Sequence, residues 1–364
     1  MENRLSSGRR LYRVAERGVS PEEHPPIQLG PGRTPDWEGI RLFLEIARRG
    51  SFRSASESLG MSINVLRRKI DELERGLGLK LLTRHVDGVR VTIEAEQIFR
   101  TAEQMEQAAF GLLRARDQAA PMLAGEVRIA ITEGLGTFWL TPRLIEFQRA
   151  YPHLQLNLAC TMRSADLLRL EADLAVQLAM PTSPDLRVIK LGRLHLVPFA
   201  GRSYADTFGI PKTKEDFVKH RIVIQSADQA LAQEFYNKWF SHIPQAGFVT
   251  MLNNVSSAHY WAIAKGAGIG WLPTYATAIG ARVIPIDVDY RHALDIVLAF
   301  HPDANKIPRI RRMIDWIVDA FSPMHFPWFR DEFIHPNELQ RAYTGGPLVN
   351  MFEGFSGFGM QPER

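Results

Sequence analysis

From Trp37 onward, Ile40, Phe43, Leu44 and Ala47 fall on one face of a helix at 3.6 residues per turn. Thr34 is placed to cap that helix, Pro35 suits its first position and Asp36 complements its dipole, while Gly50 is placed to end it. Ser51 can cap a second short helix, FRSASESL, which stops at Gly60. Ser62 can cap a third, along which Leu66, Ile70, Leu73 and Leu77 recur at spacings of four, three and four. A turn of three residues, 60–62, joins the second and third helices, which is helix-turn-helix geometry. The run KLLTRHVDGVRVT follows, two β-prone segments around Asp87-Gly88, whose central positions tolerate the positive φ of a tight hairpin turn. This hairpin is a candidate wing.

A long helical pattern then runs from Thr92 to Pro121, with Ile98, Ala102, Met105, Ala109 and Leu112 spaced four, three, four and three. That is a short two-chain seam with Gln and Glu between its positions. The same stripe would also serve a helix packed on its own domain, but pairing with a second subunit is the expectation. After Pro121 the pattern alternates. EVRIAIT, LQLNLAC and DLAVQLA read as strands, and TPRLIEFQRAY and SADLLRLE as helices between them, which argues for a doubly wound α/β layer. RIVIQS, GFVTML, GIGWLP and LDIVLAF continue the strands, and IRRMIDWIVDAF closes as an amphipathic helix. The two ends stand apart. Residues 1–33 are rich in Arg, Glu, Pro and Gly and read as a flexible basic arm, and residues 323–364 form an aromatic, Gly- and Pro-containing tail with no assigned element.

Composition narrows the function classes. A chain of 364 residues with 45% hydrophobic and 23% charged residues is sized for two globular domains. Its net charge of +4 permits nucleic acid as a partner without demanding it. A single cysteine, Cys160, excludes an intrachain disulfide framework and fits a reducing cytoplasm. With no apolar run of membrane-spanning length and no apolar core after MENRLSSGRRLYR, the expected location is cytoplasmic, away from membranes.

The stretch DWEGIRLFLEIARRGSFRSASESLGMSINVLRRKIDELERGLGLKLLTRHVDGVRVT resembles the winged helix-turn-helix of the LysR-type transcriptional regulators nearly end to end. GEVRIAITEGLGTFWLTPRLIEFQRAYPHLQLNL, EADLAVQLAMPTSPDLRVIKLGRL and AKGAGIGWLP are similar to successive parts of that family's regulatory domain. The resemblance covers about residues 36–322 and implies a fold of mixed α+β and α/β class. Its parts are a winged helix-turn-helix (34–92), a linker and dimerisation helix (93–121), and an effector domain (125–322) of two α/β subdomains like those of periplasmic binding proteins. Subdomain I takes about 125–200 and 284–322 and subdomain II about 201–283, with crossings near Ala200-Gly201 and Val283-Ile284. The family further implies a homodimer or homotetramer that binds double-stranded promoter DNA, is controlled by a small-molecule effector, and contacts RNA polymerase.

Within the third helix, Asn64, Arg67, Arg68 and Asp71 fall opposite the apolar stripe. Arg suits guanine edges bidentately and Asn suits adenine. Lys69, on the flank, together with Ser51, Arg53, Ser54 and Ser62, suits phosphate contacts that position without specifying. Arg84, His85 and Arg90 of the wing are placed to follow the backbone or enter the minor groove. The chain departs from its relatives in two places. Many have Ser-Gln where this one has Ser62-Ile63, and Arg67 replaces a frequent small hydroxyl residue. Ile63 suits a thymine methyl rather than a hydrogen bond, so an unusual operator is expected.

Ligands of doubly wound folds sit at strand C-terminal ends, where helix N-termini offer free amides. That rule selects Thr132, Glu133 and Gly134 after the first strand, Thr161 after the second and Gln177 after the third, with Gln225, Ser226 and Asn253 from the second subdomain. Thr161 matches an effector-contacting hydroxyl implied by the resemblance. Glu133 stands where many relatives have Ser, which points away from a simple carboxylate ligand and toward one with a donor or positive group. Each of these residues equally suits a cap or turn role. An enzyme or a solute-binding protein with a vestigial head is the alternative reading. Gly266-x-Gly268-x-Gly270 lacks dinucleotide-loop spacing, the histidines show no metal spacing, His259 beside Tyr260 and Trp261 reads as packed, and Cys160 reads as a packed thiol. No cofactor, no metal and no catalysis are expected.

Overall fold

The computed structural model describes residues 36–85, 88–118, 123–226, 229–279, 282–345 and 348. The basic arm, Thr34, Pro35, Asp87, Pro121 and most of the chain after Gly345 lie outside the described residues. The chain forms two compact units, dividing between Glu106 and Gln107.

The first unit contains α1 (Trp37–Arg49), α2 (Phe52–Leu59), α3 (Ile63–Leu77), the hairpin β1 (Leu82–His85) and β2 (Gly88–Val91), and the start of α4 (Glu96–Gln118). Asp36, rather than Thr34, caps α1, its carboxylate accepting from the Glu38 N–H at 3.1 Å. Ser51 and Ser62 cap α2 and α3 as expected, accepting from Ser54 and Val65 N–H. Gly50 and Gly60 close α1 and α2 with φ of 60° and 63°. Leu42, Phe43, Leu44 and Ile46 meet Leu66, Ile70 and Leu73 in one core. Leu77, expected to complete the α3 stripe, is 41% exposed, and the neighbouring buried position is Glu74. Its carboxylate accepts from the N–H groups of Leu81 and Leu82 and pairs with Lys80, so it anchors the entry to the wing.

α4 begins four residues later than Thr92. The Thr92 hydroxyl instead accepts from Ala95 N–H in the preceding turn. Its first half is docked on this same core, with Ala102 buried and Ile98, Phe99 and Met105 half-buried against it. Arg48 of α1 forms a two-pronged pair with Glu106 of α4, at 3.0 and 2.8 Å.

The second unit follows in the order β3 (Gly125–Thr132), α5 (Glu133–Leu135), a π-helical turn (Gly136–Leu140), α6 (Thr141–Ala150), β4 (Leu154–Thr161), β5 (Leu174–Gln177), β6 (Arg187–Gly201), α7 (Arg202–Phe208), β7 (Ile222–Gln225), α8 (Gln229–Phe240), β8 (Val249–Asn253), α9 (Ser256–Ala264), β9 (Gly270–Pro273), β10 (Val283–Pro285), β11 (His292–Phe300), α10 (Pro308–Ala320) and α11 (Leu339–Ala342). The main sheet runs β10-β6-β11-β5-β3-β4, with β9 also on β6. Only β4-β3-β5 is parallel there, and β7-β8 forms a separate parallel pair. SADLLRLE is not a helix. Asp166 accepts from the N–H groups of Leu168 and Arg169, and Leu170 takes φ 58°, so the chain makes one turn and reverses into β5.

Two lobes share β6. Its Leu191 and Leu194 belong to a core with Ile129, Trp139, Leu174, Ile296, Leu298 and Ile314. Its Val197, Phe199 and Ala200 belong to clusters with Ile222, Ile224, Phe240, Ile263 and Trp271. The change of core therefore falls between Leu194 and Val197, a few residues before the expected crossing near Ala200. The return falls along β11 near His292–Leu294, where those residues pair with Leu196–Leu194 of β6, rather than at Val283-Ile284, which pair with Gly201 and Ala200.

The tail left unassigned from sequence belongs to the first lobe's core. Trp328, Phe329 and Leu339 are buried, and Phe326, Trp328 and Phe329 surround Trp139 with ring centroids 4.9–5.3 Å away. A side chain at Gly192 of β6 would place its Cβ 2.5 Å from the Phe329 carbonyl oxygen, so only glycine admits the tail there. Arg330 O accepts from His195 Nε2, and Asp331 pairs with Lys190.

Candidate functional site

Two surfaces gather the residues selected from sequence. On α3, Asn64, Arg67, Arg68 and Asp71 are exposed while Leu66, Ile70 and Leu73 are buried. The N-terminal turn, with Ser62 as cap and Ile63 half-buried, presents this basic face past the head's core. The Arg67 guanidinium lies 5.9 Å from the centroid of the Phe52 ring, and Arg68 makes only a loose i,i+4 pair with Glu72 at 3.8 Å. Lys69 is already engaged. Its ammonium donates to Glu38 at 2.8 Å, and that bond raises its pKa above the ordinary value. Arg53 pairs with Glu57 at 3.3 Å, while Ser51 and Ser54 meet in the α2 cap. On the wing, Arg84, His85 and Arg90 are all exposed, and Val89 N–H donates to Gly50 O at 2.7 Å, fixing the wing against the end of α1. A sequence-specific reader needs an exposed polar helix face on a rigid base, and this head has that form.

The second surface is a cavity of about 1070 Å³ between the lobes of the second unit. Among the residues selected from sequence, Thr132, Gly134, Thr161, Gln177 and Gln225 line it. Glu133, Ser226 and Asn253 do not. Glu133 is buried, its carboxylate accepting from Ser257 N–H and the Thr137 hydroxyl, and Ser226 N–H donates to the Asn253 carbonyl at 2.6 Å, closing the β7-β8 pair.

Sequence reasoning missed most of the apolar lining: Phe138 from the π-helical turn, Phe235 and Trp239 from α8, and Trp271 from β9. A single insertion in a helix re-aims its residues, as the turn before α6 does for Phe138. Lys238, Arg163 and His292 add polar lining. Cys160 lines the cavity as a free thiol instead of packing in the core. His259 is buried, as expected, and gives its Nε2 proton to Trp271 O, with burial lowering its pKa to about 4, so the ring stays neutral. Gly270 opens β9, and the glycine run is a turn into that strand. No cluster of metal-ligating side chains occurs among the described residues, and none of their helices is long and apolar enough to cross a membrane.

Comparison with known proteins matches both units. Residues 37–96 match the bacterial regulatory helix-turn-helix model of the lysR family, and residues 121–322 match the LysR substrate binding domain. An HTH-type transcriptional regulator of Xanthomonas campestris pv. campestris is 33% identical over 194 residues, covering 52% of this chain and 55% of that protein. The probable HTH-type transcriptional regulator LtrA of Klebsiella pneumoniae is 25% identical over 288 residues, covering 77% of this chain and 93% of its own. A full-length variant of AphB, the virulence activator of Vibrio cholerae, has a similar fold, with a TM-score of 0.51 at 16% identity over 77% of this chain and 97% of that one. With a matched DNA-binding head and a matched effector domain spanning more than half of its length, the chain belongs to the LysR family of transcriptional regulators.

Proposed function

We propose that the protein binds promoter DNA through the exposed face of α3 and changes its DNA complex when a small molecule occupies the cavity between its lobes. One observation carries the DNA reading: Asn64, Arg67 and Arg68 are exposed directly opposite the buried Leu66, Ile70 and Leu73. Asn64, Arg67 and Arg68 read base edges, and Ile63 contacts a thymine methyl. Ser51, Arg53, Ser54 and Ser62 hold phosphates, joined by Lys69 once it leaves Glu38. Arg84, His85 and Arg90 follow the backbone from the wing.

Footprinting on the DNA upstream of the protein's own gene tests this. Arg67→Ala and Arg68→Ala should each weaken specific binding by about 1–3 kcal/mol per lost base contact and relax sequence preference. Equal loss on specific and random DNA would reduce both residues to phosphate contacts.

The effector occupies the cavity lined by Thr132, Gly134, Thr161, Gln177 and Gln225. It acts by binding one arrangement of the oligomer better than another. The protein works in the cytoplasm without catalysis or cofactor, as a homodimer or homotetramer, and signals to RNA polymerase. Subunits pair along α4 beyond the head. Ile98, Ala102 and Met105 are occupied by the head's own core, Ala109 is half-buried, and Leu112 is 74% exposed with Leu113 beside it. Leu112→Glu should therefore halve the particle mass in light scattering or reduce a tetramer to dimers. An unchanged mass would move the seam elsewhere. Met105→Glu is the poorer test, because it also disrupts the head.

A further inference from the structure

The helix α9 begins without a cap of its own. Its N-cap residue is Val255, whose side chain has no acceptor, so the first N–H groups need a partner from elsewhere. The partner comes from the other lobe. Glu133 Oε2 accepts from Ser257 N–H at 3.1 Å, and Thr137 donates its hydroxyl to Oε1 at 3.2 Å. Glu133 is only 9% exposed, and its neighbour Leu135 sits in the first lobe's core, whereas Tyr260 and Ile263 of α9 sit in the second's. The approach is close. A Cβ at Gly134 would come within 2.8 Å of Ser256, whose hydroxyl accepts from Gln225 Nε2 at 3.0 Å.

A carboxylate at a helix N-terminus is the arrangement by which such helices bind anions. Here the carboxylate belongs to the chain. Gly134, Asn254, Val255 and Ser256 line the cavity at this point, so the occupied terminus faces the effector's space. A second group offers the same polarity. His259 lines the cavity from α9, and with its proton on Nε2 its buried Nδ1 is a lone-pair acceptor without a partner among the described residues. Burial first, and the charge of Glu133 second, push the Cys160 thiol and the Tyr275 hydroxyl on the cavity wall above their ordinary values.

We propose that Glu133 determines specificity by filling the α9 terminus with a carboxylate of the chain's own, so that the effector presents a hydrogen-bond donor there, uncharged or cationic, and not an anion. This rests on the cavity being the effector site. Removing the side chain should empty an anion site that small carboxylates can refill. In the full-length protein, acetate should raise the melting temperature of Glu133→Ala above that in chloride at matched ionic strength, and should do nothing for the wild type. In calorimetric titration, phenylacetate should bind Glu133→Ala at least about tenfold more tightly than the wild type, the equivalent of one lost anion contact.

Glu133→Gln keeps the shape and an acceptor for Ser257. It should stay folded without acetate and remain closed to phenylacetate. Wild-type binding of phenylacetate at equal strength would overturn the proposal, as would a Glu133→Ala variant that acetate does not rescue. Neither result touches the regulator reading, which stands or falls on footprinting of the wild type.

Discussion

Trp328→Ala is expected to destabilise the first lobe by about 3–5 kcal/mol, the range for truncating a large aromatic side chain in a packed core. Trp328 is 2% exposed and lies 5.3 Å from Trp139, 5.2 Å from Tyr343 and 5.6 Å from Phe326, ring centre to ring centre. No neighbour is free to fill the space. Trp139 is held by its Nε1 bond to Ala320 O, with the Arg143 guanidinium 3.4 Å from its ring centroid. Amide exchange at β3 and β11 is the readout, since those strands carry the same core. The head supplies an internal reference whose protection should not move. Trp328→Phe is the informative companion. The indole Nε1 is buried without a partner among the described residues, so phenylalanine retains the aromatic packing and removes a poorly satisfied donor. It should cost well under half as much. If both variants leave β11 protection unchanged, the tail is an appendage and not part of the core.

That tail shows where sequence reading stopped. Its apolar residues, Phe326, Trp328, Phe329, Leu339 and Tyr343, follow neither a period of 3.6 nor one of 2, because the chain crosses the lobe as short turns. Periodicity detects only surfaces that repeat. The helices of the head were legible for the converse reason: stripe, caps and stops agree along α1, α2 and α3, apart from Asp36 capping in place of Thr34 and the exposed Leu77. β6 was not read as a strand at all. Gly192 and Pro198 interrupt its pattern, yet Gly192 is where the tail approaches and Pro198 lies where Ile286 N–H bonds to its carbonyl.

The seam of α4 illustrates a different limit. Spacing identifies a face but not the surface that covers it, and Ile98, Ala102 and Met105 meet the head's own core. At the cavity, the rule of strand ends found Thr132, Thr161, Gln177 and Gln225. It could not find Phe235 or Trp239, which arrive on a helix that no strand-end rule addresses.

The docking of α4 on the head gives the other large effect. Arg48 and Glu106 meet through two hydrogen bonds, with Glu103 at 3.6 Å as a second carboxylate. The Glu106 side chain is 5% exposed and that of Arg48 24%. Burial works against the charge of Arg48, and Glu106 and Glu103 outweigh it, leaving its pKa above the ordinary value. Arg48→Ala takes two charge-assisted bonds away from a buried carboxylate, and the cost should fall toward the lower end of about 3–5 kcal/mol because Arg48 keeps some solvent.

The loss should appear as exchange in the first half of α4 and the last turn of α1, and as weaker DNA binding. Replacing both partners, Arg48→Met with Glu106→Leu, removes the buried charge and fills the same volume, so most of the stability should return. The DNA measurement then separates two roles. If operator affinity returns with stability, the pair serves only to dock α4, and any contact of the right shape would do. If stability returns and operator affinity does not, the geometry that two charge-assisted bonds impose on α4 is itself needed to place the head on DNA.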